Sequence, residues 1–333
     1  MKLLKLVDRL NPFLRHESVD VEHEIPKQLH VETTNICNAD CVFCAYRYDK
    51  RKKKIMSEEQ LRKILTEYRD IGGTIVNFTP YAGEVFSDRR FLQKVKIANE
   101  LGFDEINTYS NITLIDKFGV DEVLQSGLTY IAVSTSPLDK ESYSSIFQSH
   151  LYERMLENLV QLAKRYHELE NKTVKKILIS FRSDRPIEKI RLMKDYEKIE
   201  PYIHGNVKED CMQTFDTWMG VIKETDLLPG MQTKSYDFKK PKPCDRLYML
   251  KVTSNGKMRA CGCRYDYSKQ EDNFYIGHTD SMTLAEGYNS KRVHELKQSF
   301  VDGNIPDECR KCSWYESFRY EGENYCSGAD GKK

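Results

Sequence analysis

Cys37, Cys41 and Cys44 form a C-x3-C-x2-C run inside VETTNICNADCVFCAYRY, directly after a short segment of alternating apolar residues. Three thiols on so tight a loop can share one metal group, and thiolates are soft donors suited to zinc and to iron–sulfur groups. A closed zinc site takes four protein ligands. No fourth Cys or His lies on the loop; the nearest, His30, sits on the strand before it. A cubane [4Fe–4S] cluster held at three irons fits the count better, because the open iron can bind and activate another molecule. Disulfides fit poorly on such a spacing, and ten cysteines without a secretory signal argue for metal. Zinc stays open as the alternative on spacing alone.

The rest of the composition narrows the class. A net charge of +1 over 333 residues gives no global nucleic-acid or acidic-partner signal. The basic run Arg51–Lys54 reads as a solvated loop before the helix start at Ser57. No stretch is apolar and long enough for a transmembrane helix, and the N-terminus, MKLLKLVDRLNPFL, is too short and charged for a secretory signal. Its Leu3, Leu6, Val7 and Leu10 fall at helical spacing, which predicts a small amphipathic helix docked on the protein. The compartment reads as cytoplasm.

From Gln28 onward, strand-like segments alternate with helical ones. Strands are expected at 28–34, 74–81, 104–111, 130–136 and 175–183. Ser57-Glu-Glu-Gln60 is a capping box opening a helix that closes at Gly72-Gly73, and further helices are expected near 89–101, 117–126 and 151–170. Such alternation gives parallel strands with right-handed crossovers, and the units are too few for a closed eight-stranded barrel. The predicted fold is α/β: a partial (β/α)6 barrel over 28–206 after an N-terminal extension, 1–27. A Pro- and Gly-containing connector, 207–243, and a small hairpin/helix subdomain, 244–333, complete it. In that subdomain Asn255-Gly256 between Leu247–Thr253 and Lys257–Cys261 is a strong hairpin signal, and a helix is expected over Leu284–Phe300. The hairpin carries Cys261 back toward Cys244, and Cys309-x2-Cys312 is a metal knuckle in form; these four thiols taken alone suit zinc as well as a cluster.

The first cysteine run, with the aromatic Phe43 just before its last Cys, resembles the signature of the radical S-adenosylmethionine (SAM) enzymes. The resemblance implies an open partial barrel, SAM bound at the open iron of a [4Fe–4S] cluster on Cys37, Cys41 and Cys44, and reductive cleavage of SAM to a 5′-deoxyadenosyl radical. Ligands in parallel α/β folds collect at the carboxyl ends of strands. There the family's motifs have partial counterparts: Tyr81-Ala82-Gly83-Glu84 for the motif around the SAM amino group, Tyr109-Ser110-Asn111 near the ribose, and Val133-Ser134-Thr135-Ser136. Arg182 could pair with the SAM carboxylate, and Phe43 and Tyr46 would flank the cofactor. Singly these read as turns, caps and surface ion pairs; their recurrence at successive strand ends gives them weight.

The second cysteine set resembles the auxiliary-cluster extensions of this family, SPASM in long form and twitch in short form, and the spacing is near that of the aminocyclitol dehydrogenase type of butirosin assembly. The resemblance implies one auxiliary [4Fe–4S] cluster on Cys244, Cys261, Cys309 and Cys312. Cys211 and Cys263 read as inert buried thiols, with Cys263 or Cys326 as alternative hydrogen-atom donors to substrate and Cys326 as an alternative ligand. An auxiliary cluster can accept the electron that turns a carbinol radical into a ketone, which favours oxidation or epimerisation of a sugar- or cyclitol-like molecule. The 27 residues before the first strand are short for a leader-peptide-binding domain, so peptide modification is the second reading. Tyr130, Ser136, Arg182 and Glu209 are candidate substrate-side residues. An electron donor such as flavodoxin or ferredoxin is implied as partner, with no nucleic acid and no membrane span. Outside the class stand a zinc-bearing binding or regulatory protein and a cluster-bearing electron carrier.

Overall fold

Short strands that alternate with amphipathic helices bury one face under those helices and leave the other to line an interior. The structure, a computed structural model, describes residues 25–235, 240, 242–261 and 272–316. Six parallel strands lie in sequence order: β1 (Gln28–Val31), β2 (Ile75–Asn77), β3 (Glu105–Ser110), β4 (Tyr130–Thr135), β5 (Lys176–Arg182) and β6 (Val207–Met212). The helices between them are α1 (Glu58–Asp70), α2 (Phe91–Glu100), α3 (Val120–Leu124), α4 (Lys140–Phe147), α5 (Tyr152–Glu168) and α6 (Ile187–Arg191). The Ser57 hydroxyl caps α1 by accepting from the Gln60 N–H at 3.1 Å, as the capping box predicts. Helix α4, absent from the sequence reading, starts on an Asp139 cap that accepts from the Ser142 N–H at 2.8 Å.

The alternation read from sequence stops at Asn206; the structure carries it one strand further. Val-Lys-Glu-Asp-Cys-Met offers a single aliphatic residue, so β6 has no apolar period, yet it pairs with β5 along its whole length. A two-stranded parallel piece, β7 (Thr214–Phe215) with β8 (Gln232–Thr233), lies in the connector.

The C-terminal part joins the same sheet. β9 (Met249–Val252) runs parallel to β1, and β10 (Lys257–Arg259) and β11 (Tyr275–His278) follow antiparallel, giving the order β11-β10-β9-β1-β2-β3-β4-β5-β6. Its two outer strands are not paired with each other, so the sheet stays open. The Asn255-Gly256 turn forms the hairpin, with Gly256 at φ +88°, a region that favours glycine. Instead of one helix over 284–300 there are two, α7 (Leu284–Tyr288) and α8 (Lys291–Val301), followed by α9 (Asp307–Arg310). The amphipathic segment expected near the N-terminus lies outside the described residues.

Strand register sorts the faces. Ile131, Val133, Ile177, Ile179, Phe181 and Val207 belong to the buried core under the helices. The opposite face carries His30, Asn77, Asn107, Tyr130, Ser134, Ser180, Arg182 and Asp210, a polar interior. No described helix is long and apolar enough to cross a membrane.

Candidate active site

The cysteine loop is held from three sides. The Asp40 and Val42 N–H groups donate to the carbonyls of Phe147 and Ile146 at the end of α4 (3.2 and 3.0 Å). The Glu84 N–H donates to the Ile36 carbonyl at 2.8 Å. Phe43 stacks on Phe215 (centroids 5.0 Å apart) and meets Phe147 edge-on, while its carbonyl accepts from the Trp218 indole N–H at 3.1 Å. The Tyr46 hydroxyl accepts from the Cys37 N–H at 3.0 Å, so Tyr46 braces the loop. Gly83 is required by close approach: a Cβ there would lie 2.8 Å from the Thr34 carbonyl oxygen.

Burial pushes the Cys37 thiol up to about 12 and the Cys44 thiol up to about 11; Cys41 rises too, from burial and from Cys44 and Cys37 beside it. Thiols so placed release protons only when a metal replaces them. His30 contacts Gln28 Oε1 through Nε2 at 3.0 Å, so the loop presents three sulfur ligands and no imidazole. No three His, Cys, Asp or Glu side chains among the described residues clasp a single point as one metal ion requires. Three half-buried soft donors without a fourth protein ligand beside them fit a [4Fe–4S] group bearing one open iron.

Around this loop the residues picked out by sequence have definite tasks. Both Glu84 carboxylate oxygens are engaged: Oε1 accepts from the Ser110 hydroxyl (2.7 Å) and the Phe86 N–H (3.1 Å), and Oε2 from the Asn111 N–H (2.7 Å). Burial raises its pKa and these donors oppose that. Glu84 thus ties the ends of β2 and β3 together, leaving the backbone of Ala82 and Gly83 facing the loop. Asn111 donates to Asn38 Oδ1 inside the cysteine run at 2.9 Å. The Ser136 hydroxyl donates to the adjacent Pro137 carbonyl.

Deeper in the interior, the Arg182 guanidinium donates to Ser134 Oγ (3.2 Å) and Ser180 Oγ (3.0 Å). Burial lowers its pKa, against the attraction of Asp210. Asp210 shares the register row of Ser134 and Ser180, and its Oδ1 is buried without a hydrogen-bond partner among the described residues. Tyr130 flanks this group, its pKa raised by burial and by Tyr109 and Asp210. Glu209 is on the other face, paired with Arg191 at 2.7 Å and reached by the Tyr196 hydroxyl. Glu209 therefore faces away from the interior, and Asp210, one residue on, faces into it. Sequence reading missed Asp210 because it missed β6.

The C-terminal cysteines also come together. Cys244, Cys261, Cys309 and Cys312 line one cavity with Phe274 and Trp314. Burial and the neighbouring Cys261, Cys244 and Cys312 push the Cys309 thiol far up, and Cys244 behaves alike. A buried Lys240 ammonium donates to the carbonyls of Cys309, Arg310 and Cys312, capping the end of α9. Two contacts link this region to the barrel. The Tyr81 hydroxyl donates to the Cys261 carbonyl at 2.6 Å, its ring between Lys251 and Arg259; Ser313 donates to Asp216. The described cysteines form no disulfide with one another, and the Cys211 thiol donates to the Arg185 carbonyl at 3.3 Å. Cys263 and Cys326 lie outside the described residues.

The profile of the radical SAM superfamily matches residues 31–190, the stretch from the cysteine loop through β5. This chain carries a radical SAM domain. A domain of this family implies SAM and a [4Fe–4S] cluster, and the three-thiol loop suits such a cluster. A probable GTP 3′,8-cyclase of Sulfurisphaera tokodaii is 20% identical over 72% of this chain and 82% of its own length. An uncharacterized protein of Methanocaldococcus jannaschii is 26% identical over 49% of this chain and 54% of its own. In fold, the radical SAM domain and its C-terminal part resemble a crystal structure of BtrN in complex with AdoMet and 2-DOIA (TM-score 0.51, 11% identity, 86% of this chain and 91% of that one). Streptococcus suis SuiB bound to precursor peptide SuiA is similar at TM-score 0.54 and 14% identity, covering 94% of this chain and 74% of that one.

Proposed function

We propose that this radical SAM enzyme oxidises, or epimerises, a carbinol carbon of a sugar- or cyclitol-like small molecule, with an auxiliary [4Fe–4S] group on Cys244, Cys261, Cys309 and Cys312. The observation that carries the reading is the convergence of those four thiols on one cavity, joined to the barrel through Tyr81. When bound, SAM and the iron–sulfur groups supply a 5′-deoxyadenosyl radical that removes the carbinol hydrogen atom, and an acceptor for the electron left behind. The chain's own residues do the rest. Cys37, Cys41 and Cys44 hold the first group, and the backbone at Ala82–Glu84 with Ser110 and Asn111 shapes the SAM side. Arg182, steadied by Ser134 and Ser180, orients substrate oxygens. Asp210 Oδ1 receives the hydroxyl proton as the C–O bond becomes a carbonyl, a general-base task suited to an unpartnered carboxylate oxygen.

The test is anaerobic turnover with a panel of polyols and aminocyclitols deuterated at each carbinol carbon. The reading predicts one ketone per 5′-deoxyadenosine and transfer of a single deuterium into it. Transfer with return of an inverted alcohol would select epimerisation. Reaction only with peptides, the kind of molecule bound to SuiB, would replace the sugar reading.

A further inference from the structure

The segment that follows the cysteine loop is the most basic in the chain: Arg47, Lys50, Arg51, Lys52, Lys53 and Lys54 stand against a single acid, Asp49. Structure divides these cations into two kinds. Arg51 is spent internally, on Glu32 at 2.8 Å and on Asp49 at 2.8 Å, and Arg47 lies 3.5 Å from Asp40. Lys50, Lys52, Lys53 and Lys54 are exposed and pair with no carboxylate among the described residues. Lys52, Lys53 and Lys54, with Asn35 and Ser254, rim a cavity of about 420 Å³.

This rim borders the cysteines. The Asn35 side chain, two residues before Cys37, donates to the Lys52 carbonyl (3.0 Å) and accepts from the Lys54 N–H (2.6 Å). The Lys53 ammonium sits 4.0 Å from the centre of the Tyr46 ring, whose hydroxyl holds the Cys37 N–H. The other flanks of the loop are covered by α4, by Trp218 and Phe215, and by the Glu84 turn. Among these flanks, the lysine side is the one built of exposed cationic side chains.

We propose that the exposed lysines Lys50, Lys52, Lys53 and Lys54 form the docking surface for an acidic electron-carrier protein that reduces the group on Cys37, Cys41 and Cys44. The inference rests on the radical SAM reading. One electron passes from the reduced carrier to the group, and no proton or atom is exchanged. Hydrated, flexible ammonium groups suit long-range steering and a wet, transient contact. A phosphate clamp would use a free guanidinium fork, and the one guanidinium beside the cavity is already bound to carboxylates.

The test compares two reductants for wild type and for Lys50→Glu/Lys52→Glu/Lys54→Glu, which leaves Lys53 on Tyr46. With reduced flavodoxin as the acidic probe, 5′-deoxyadenosine formation falls at least about tenfold in the variant, and the wild-type rate drops between about 50 and about 300 mM salt. With photoreduced deazaflavin, small and uncharged, the two proteins cleave SAM equally, which also shows the variant folds and holds its cluster. Equal flavodoxin rates, or a raised substrate KM with deazaflavin that marks the lysines as a small-anion site, overturn the proposal. Failure of wild type with both reductants would instead remove the radical SAM reading itself.

Discussion

The two cysteine groups differ in how the chain brings them together. Cys37, Cys41 and Cys44 come from one loop, braced by neighbouring backbone and by Tyr46. Cys244 precedes β9, Cys261 follows β10, Cys309 lies in α9 and Cys312 just after it, and they meet only because β9 joins β1 and the chain around α9 folds back. The first arrangement is local and offers three thiols; the second is long-range and offers four. Gathering distant ligands costs more chain entropy, so a group bound there should hold the C-terminal part in place as well as accept electrons. A group on the local loop contributes chemistry more than architecture.

The largest expected effect separates the two at once. Cys41→Ala should abolish SAM cleavage, by about a thousandfold or more on the scale of lost covalent machinery, while thermal stability changes little. Anaerobic 5′-deoxyadenosine assays alongside calorimetry read both. Cys309→Ala should do the reverse: SAM is still cleaved, ketone formation is lost, and the C-terminal part becomes more sensitive to proteolysis. If Cys309→Ala also stopped SAM cleavage, the division of labour between the groups would be wrong.

Asp210→Asn comes next, with kcat for product falling about a hundredfold, in the range of a removed general base. Uncoupled 5′-deoxyadenosine should persist, because Asp210 touches neither cysteine group. Smaller still is Gly83→Ala. The added methyl group presses on the Thr34 carbonyl and should cost about 1–3 kcal/mol, read as a lower unfolding midpoint together with weaker iron retention at the loop.

A pH series sharpens the comparison further. The Cys37 and Cys44 thiols, raised to about 12 and about 11, are protonated in the metal-free protein at neutral pH. Iron must displace those protons, so reconstitution should improve as pH rises from about 7 to about 9 and release protons measurably. Loading that is independent of pH over that interval would contradict the buried-thiol picture.

How much of this was legible in sequence follows from the kind of signal each element carries. The three-cysteine loop, the Ser57 cap and the Asn255-Gly256 hairpin are local patterns with local physical causes, and all are present. β6 was invisible because its inner face is polar for the site and its outer Glu209 is neutralised by Arg191 and Tyr196 rather than by apolar packing. Asp210 was lost with it. The parallel pairing of β9 with β1 joins segments far apart in the chain, and no local pattern announces it. The bonds of Glu84 are also invisible in sequence, since only the fold reveals that Ser110 and Asn111 occupy both its oxygens.

The most direct test of the two-group account is the iron and acid-labile sulfide content of the anaerobically reconstituted chain. Two [4Fe–4S] groups predict about eight irons and about eight sulfides per chain, falling to about four of each in Cys309→Ala and in Cys41→Ala alike. About four irons in the unaltered chain, unchanged by Cys309→Ala, would remove the auxiliary group and the oxidation reading with it.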